Sequence, residues 1–438
     1  MLHVKFKRVG ENVSWLVVDR LFRMSIGVVV LGMLARYLGP AQFGLLNYSI
    51  SLVTIFGAVA SLGIEGIVIR ELVKAPERKS AILGTAFGLR LLGGVIALSF
   101  VFLAAWFSSD GQSFTLLAVV VALAFFPQAF EVIDLWFQKN IQSKYTVLAK
   151  SGAVLLGAAV KIGLVLAKAP LILFAGALAL DAVFSAVALA VIYHRRGERA
   201  RNWSVSRAIA RNILRDSWPL ILSGILVAIY MRVEQVLVMM FFGSESVGIY
   251  YAAVRMTELW QFIPGFILAS LYPLLVEKRQ QDVNIYRQKL QVIFDLLTGF
   301  GLVVAVGVTV FGPYVLPLIF GAKFTPAIPI LLIMAWMAPI TFSGAVRAQY
   351  FLIESLTIYH TASALIGIAT NVTLAILLMP RYGIRGAAIS ALAGYFVSAY
   401  ITSWLFPCLR ECAVFQTKGL FVFFRWRATL KALGYRRN

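Results

Sequence analysis

Charge is scarce in this sequence: Asp, Glu, Lys and Arg make up 13% of its 438 residues, while 61% are hydrophobic. Soluble globular chains carry about 25% charged and about 45–50% apolar residues, so a water-soluble enzyme is all but excluded. Acidic residues are scarcest, 19 against 40 Lys and Arg, which gives a formal charge of +21. In a soluble chain that balance would suggest nucleic acid. In a membrane chain it points to loops facing anionic lipid, and nucleic acid is not an expected partner. Histidine is limited to His3, His194 and His360, with no metal-ligand spacing among them. The two cysteines, Cys408 and Cys412, lie one helical turn apart and read as packing residues. A Walker-type phosphate loop, a Gly-x-Ser-x-Gly elbow and a His-Glu-x-x-His helix are all missing. The expectation is a chain without cofactor, metal or enzymatic activity.

What is present is a series of apolar blocks. They fall at residues 15–38, 44–68, 81–107, 114–137, 145–167 and 169–193, then at 217–242, 246–276, 291–318, 325–350, 357–379 and 386–409. At about 20 residues per membrane-spanning helix, this predicts an all-α polytopic protein with about twelve spans and no room for an additional soluble domain. The first block holds Asp19, Arg20 and Arg23 and is not a cleavable signal. The longest polar connection contains seven arginines. The expected organisation is an N-terminal six-helix bundle over 1–193, a basic linker over 194–216, a C-terminal six-helix bundle over 217–409 and a basic tail over 410–438.

Counting Lys and Arg on alternate connections gives 27 on the side of the N-terminus and 5 on the other, with 8 inside spans. By the positive-inside rule both termini are cytoplasmic. Within the linker, Arg207, Arg211 and Arg215 recur every four residues opposite Val205, Ile209, Ile213 and Leu214. That pattern predicts an amphipathic interfacial helix over Ser204 to Asp216. The tail from Gly419 to Tyr435 has a similar mixed character.

An internal repeat is visible. The junction Leu38-Gly-Pro-Ala-Gln-Phe-Gly-Leu-Leu-Asn-Tyr48 parallels Phe242-Gly-Ser-Glu-Ser-Val-Gly-Ile-Tyr-Tyr-Ala252, with both glycines displaced by 204 positions. Two six-span halves of this kind would be parallel repeats. Pro127, Pro264 and Pro339 interrupt spans four, eight and ten and are expected to kink them. Gly84-x-x-x-Gly88 and Gly93-Gly94 are expected to permit close helix packing.

Charge within spans costs about 2.5–3.5 kcal/mol per residue at mid-helix and so calls for a reason. Glu65, Glu131, Asp134, Lys150 and Arg347 lie near span ends and are expected to snorkel. Arg20, Arg23, Arg90, Lys161, Arg232 and Arg255 form basic steps through the bilayer, the pattern expected of a cationic cavity for an anion. Among the carboxylates, Asp19, Asp181, Glu234 and Glu258 are candidates for proton or sodium coupling, with Asp181 and Glu258 deepest. Buried structural salt bridges are the alternative for all of these residues.

Several strings resemble one family. They are Ala35-Arg-Tyr-Leu-Gly-Pro-Ala-Gln-Phe-Gly-Leu-Leu-Asn-Tyr48, Leu62-Gly-Ile-Glu65, Arg70-Glu-Leu72, Asp134-Leu-Trp-Phe-Gln138, Ser217-Trp-Pro-Leu220 and Tyr382-Gly-Ile-Arg-Gly-Ala-Ala-Ile389. Together they resemble the O-antigen (Wzx-like) polysaccharide-biosynthesis flippases, in the superfamily shared with MATE multidrug extruders and lipid II flippases. The resemblance implies a MATE-like exporter fold of two six-helix bundles in a bacterial inner membrane. It also implies a substrate, a polyprenyl-pyrophosphate-linked oligosaccharide, carried from the cytoplasmic to the periplasmic leaflet for surface polysaccharide synthesis. Membrane lipids, a polysaccharide polymerase and chain-length proteins would be its partners. An ion-coupled multidrug antiporter of the same superfamily is the second reading, and it would favour an acidic rather than a basic interior. A polytopic enzyme acting on lipid-linked sugars is the third, opposed by the missing catalytic motifs.

Overall fold

The computed structural model describes residues 2–108 and 111–425, with only the backbone described for 2–22, 111 and 143. Among the described residues every regular element is helical. Ten helical stretches among the described residues are long and apolar enough to cross a membrane. Two of them, Arg23–Lys74 with 52 residues and Arg207–Gln281 with 75, are far too long for one crossing. Each contains a glycine in a non-helical conformation that divides it into two. Gly39 has φ 71° and ψ 171°, and Gly243 has φ 76° and ψ −177°. Each long stretch therefore holds two spans, which restores the twelve read from the sequence.

The prolines act as expected. Span four is divided into Gly111–Ala122, Phe125–Gln128 and Val132–Lys139, with Pro127 in the short middle piece. Pro264 and Pro339 each fall in the first turn of a new helical segment, Ile263–Gln281 and Met337–Ile353. Proline is tolerated there because first-turn N–H groups have no helical acceptor.

The chain forms two compact units, Met1–Val236 and Leu237–Asn438. The first unit thus takes in the linker and most of span seven. Gly63, with φ 59°, lies against Leu220, and Ser51 donates to Gln235, so span seven runs beside span two. The linker is bound tightly to this unit. Lys79 pairs with Glu198 at 2.7 Å, Arg70 pairs with Asp216, and the Ser206 amide donates to Thr85 at 2.9 Å. Gly84 abuts the Ser204 backbone and Trp203, so its missing Cβ admits an extended connection rather than another helix. Gly93 meets the expectation of close helix packing, against the carbonyls of Val59 and Ala60 in span two. From Arg207 onward the linker is helical and continuous with span seven. Of its apolar residues, Ile209 and Ile213 pack against protein, Ile213 being 1% exposed and joining Ile64, Val68, Leu83, Val132, Ile133 and Leu189 in one core, whereas Val205 and Leu214 are exposed.

In the second unit the core gathers Leu275, Tyr286, Phe294, Phe342, Phe351, Leu409 and Phe415. Arg279 forms a two-pronged pair with Glu354 at 2.8 and 3.1 Å, and Arg287 pairs with Glu411. The second of these pairs ties the helix Arg410–Leu420 to the span that Arg287 precedes. Cys412 of that helix is buried, and burial pushes its thiol up to about 12, which fits a packing role. Only residues 419–425 of the tail segment fall within the described chain.

Candidate functional site

The ionisable groups of the first unit's spans converge rather than spread. Arg90 of span three is 4% exposed. It donates to Glu65 at 2.9 Å, and to Glu131 and the Gln128 carbonyl, each at 3.3 Å. Glu65 and Glu131 were expected to snorkel, yet both turn onto this arginine. Breaks in the helices make that possible: Glu65 opens the helix Glu65–Lys74 just after the left-handed pair Leu62 and Gly63, and Glu131 sits in the interruption of span four. Asp134 and Lys150, also expected to snorkel, pair with each other at 2.7 Å, and Thr146 donates to the same carboxylate. Asp134 is buried.

Lys161 of span five pairs with Asp181 of span six. The carboxylate lies over Gly157, one turn before Lys161, in space that any Cβ at that position would fill. Its second oxygen, Oδ1, is buried and accepts no hydrogen bond. Asp181, Gln128, Glu131 and Ser185 border a polar cavity of about 200 Å³. A smaller cavity of about 40 Å³ shares Gln128 and Glu131 and reaches Arg90 and Ser61. Polar groups therefore run from Lys161 through Asp181 and Glu131 to Arg90 within one unit.

Arg232 differs from these cations. It is half-buried in span seven, forms no ion pair or hydrogen bond among the described residues, and has a buried, unsatisfied Nε. Glu234, two residues on, is buried. Arg23 is half-buried, while the side chains of Asp19 and Arg20 lie outside the described residues.

In the second unit, Arg255 and Glu258 pair with each other at i, i+3 on one helix, both partly exposed. Asp181 and Glu258, the deepest of the coupling candidates, thus each hold a cation. Low dielectric within a span makes an uncompensated charge costly, which favours such pairing. Arg347, expected to snorkel from a span end, is instead 4% exposed. It donates to Ser363 at 2.7 Å, to Thr402 at 2.8 Å and to the Ser398 carbonyl, with its guanidinium 4.6 Å over Phe351. Span twelve passes through a π-helical turn at Val397–Ile401. There the Ser398 and Ala399 carbonyls accept from Arg347 and from Gln416, the latter at 2.8 Å. Sequence reading missed this centre because its partners are hydroxyls and carbonyls that carry no charge signal.

The profile of the family described as "Polysaccharide biosynthesis protein" matches residues 9–278. No curated protein matches the chain by sequence. Among solved structures the chain is similar to the lipid II flippase MurJ in an inward closed conformation, with TM-score 0.70 at 14% identity over 96% of this chain and 93% of that one. It is also similar to an inward-facing MATE family multidrug resistance transporter of the MOP superfamily, with TM-score 0.65 at 17% identity over 94% and 96% of the two chains. A MOP superfamily transporter from Pyrococcus furiosus gives TM-score 0.56 at 17% identity over 92% and 96%. At such identities the likeness shows a shared fold, that of MOP exporters. With twelve spans in that fold and a family profile covering most of its length, this chain belongs to the polysaccharide biosynthesis protein family.

Proposed function

We propose that the chain is a flippase that carries polyprenyl-pyrophosphate-linked oligosaccharide repeat units from the cytoplasmic to the periplasmic leaflet of a bacterial inner membrane. It works by alternating access, supplies O-antigen or another surface polysaccharide, and is a transporter rather than an enzyme. Both termini are cytoplasmic in this reading, which rests on the 27 to 5 distribution of Lys and Arg.

Arg232 carries the substrate assignment. A pyrophosphate requires cations, and arginine offers paired donors to phosphate oxygens. Arg90, Lys161 and Arg255 already hold carboxylates, so a phosphate would have to displace those partners. Arg232 has none to displace among the described residues, and it serves as the primary phosphate contact. Asp181, beside a polar cavity and with one oxygen unsatisfied, is the favoured point for coupling to a proton or sodium gradient.

The test is mass spectrometry of lipid-linked oligosaccharides in a strain lacking the chain, complemented with wild type, Arg232→Lys or Arg232→Ala. Wild type should restore surface polysaccharide, lysine should restore part of it, and alanine should leave lipid-linked repeat units accumulated. Normal polysaccharide in the deletion strain, with no accumulation, would overturn the reading.

A further inference from the structure

The helix beginning at Arg207 presents two opposed faces. At about 100° per residue, Ile209, Ala210, Ile213 and Ser217 fall on the side packed against the first unit, where Ile213 and Ser217 are buried. Arg207, Arg211, Leu214, Arg215, Trp218 and Leu222 fall within one arc of about 100° on the other side, and all six are exposed. Trp218 is 63% exposed and the Arg215 side chain 78%. Along the axis all three arginines precede Trp218 and Leu222, with Leu214 set between Arg211 and Arg215 and Trp218 about 16 Å beyond Arg207.

The nearest acid does not neutralise this row. Asp216 is bound by Arg70 across the unit and lies 3.7 Å from Arg215, while Arg207 and Arg211 form no ion pair among the described residues. Three cations at helical-turn spacing therefore stand directly above an exposed apolar strip that enters a span. This layout matches one kind of molecule, an anionic phosphate head on a long hydrocarbon chain that stays in the bilayer.

We propose that this face is a landing site for the diphosphate of an isoprenyl-diphosphate lipid. Arg207, Arg211 and Arg215 take the phosphate oxygens, and the isoprenyl chain runs along Leu214, Trp218 and Leu222. The inference rests on the functional reading above and adds the surface on which the substrate docks before translocation. A diphosphate spans two adjacent arginines of the row and satisfies more of their donors than a phosphodiester does, so ordinary anionic phospholipid is the weaker occupant.

The experiment uses the full chain in phosphatidylcholine nanodiscs with farnesyl diphosphate as probe. The triple variant R207Q/R211Q/R215Q should weaken binding about tenfold or more, and W218A/L222A should weaken it less. The thermal midpoint should stay near that of wild type, since all of these side chains are exposed. Adding phosphatidylglycerol should leave wild-type binding within about threefold, because exposed charges are only partly screened. If phosphatidylglycerol abolishes binding, the row is a general anionic-lipid surface and the proposal fails. If the triple variant binds as wild type does, the landing site is wrong while the flippase reading stands. If wild type itself binds no diphosphate, both fall together.

Discussion

Gly39 and Gly243, 204 residues apart, share a backbone conformation, φ 71° with ψ 171° and φ 76° with ψ −177°. This region is essentially restricted to glycine, and another residue there costs about 1–3 kcal/mol. Gly39→Ala and Gly243→Ala should each lower folded abundance in membranes. Gly27→Ala, at a position with nothing close to the added Cβ, should not. Equal abundance of all three variants would show that the two bends are not needed.

Topology can be read with Cys408→Ser as background, because Cys412 is buried. Arg201→Cys and Glu245→Cys place exposed thiols on connections of opposite expected side. A membrane-impermeant maleimide added to intact cells should label Glu245→Cys and leave Arg201→Cys untouched. The opposite pattern would invert the orientation and the direction of transport.

Removing Arg90 leaves two carboxylates facing each other without their shared cation. Breaking a buried pair by removing one partner costs about 3–5 kcal/mol. Arg90→Ala should therefore reduce folded protein sharply. Glu65→Gln, at an exposed partner, should cost less than about 1 kcal/mol. Thermal midpoints of purified protein in detergent order the two.

Arg347 offers a contrasting case, a buried cation whose hydrogen-bond partners are neutral. Lysine keeps the charge but cannot reach Ser363, Thr402 and the Ser398 carbonyl with one planar fork. Arg347→Lys should lose about 2 kcal/mol of stability, the worth of one charged hydrogen bond. A midpoint unchanged from wild type would mean that the π-helical turn of span twelve does not depend on this arginine.

The Asp181 carboxylate rests in the space left by Gly157. If Asp181 couples transport to an ion gradient, Asp181→Asn should abolish the gradient dependence of flipping while leaving the protein expressed. Gly157→Ala, which displaces the carboxylate from Lys161, should act in the same direction. Normal gradient dependence in both variants would return this pair to a structural role.

Much of the architecture is present in the sequence because membrane burial is read one residue at a time. An apolar block long enough to cross is visible as such, since lipid forces its backbone to be helical. The equivalence of Gly39 and Gly243 was also legible, because a conformation closed to other residues leaves a glycine at the same place in each half. The linker shows where this reading stops. Its arginine periodicity is plain in the sequence, but whether Ile209 and Ile213 meet lipid or protein depends on where the core of the first unit ends.

The charges inside the spans mark the other limit. Composition and hydropathy fixed which residues were anomalous, namely Arg90, Lys161, Asp181, Arg232, Arg255 and Glu258. They could not say which were paired, because Arg90 meets Glu65 and Glu131 from 25 and 41 residues away, and those approaches depend on helix breaks and packing. Tertiary structure alone decided that Arg90 and Lys161 hold carboxylates from other helices while Arg232 has no partner among the described residues; only Arg255 finds its carboxylate on its own helix. Solvation sets the cost of each charge locally; the compensation comes from neighbours distant in the chain.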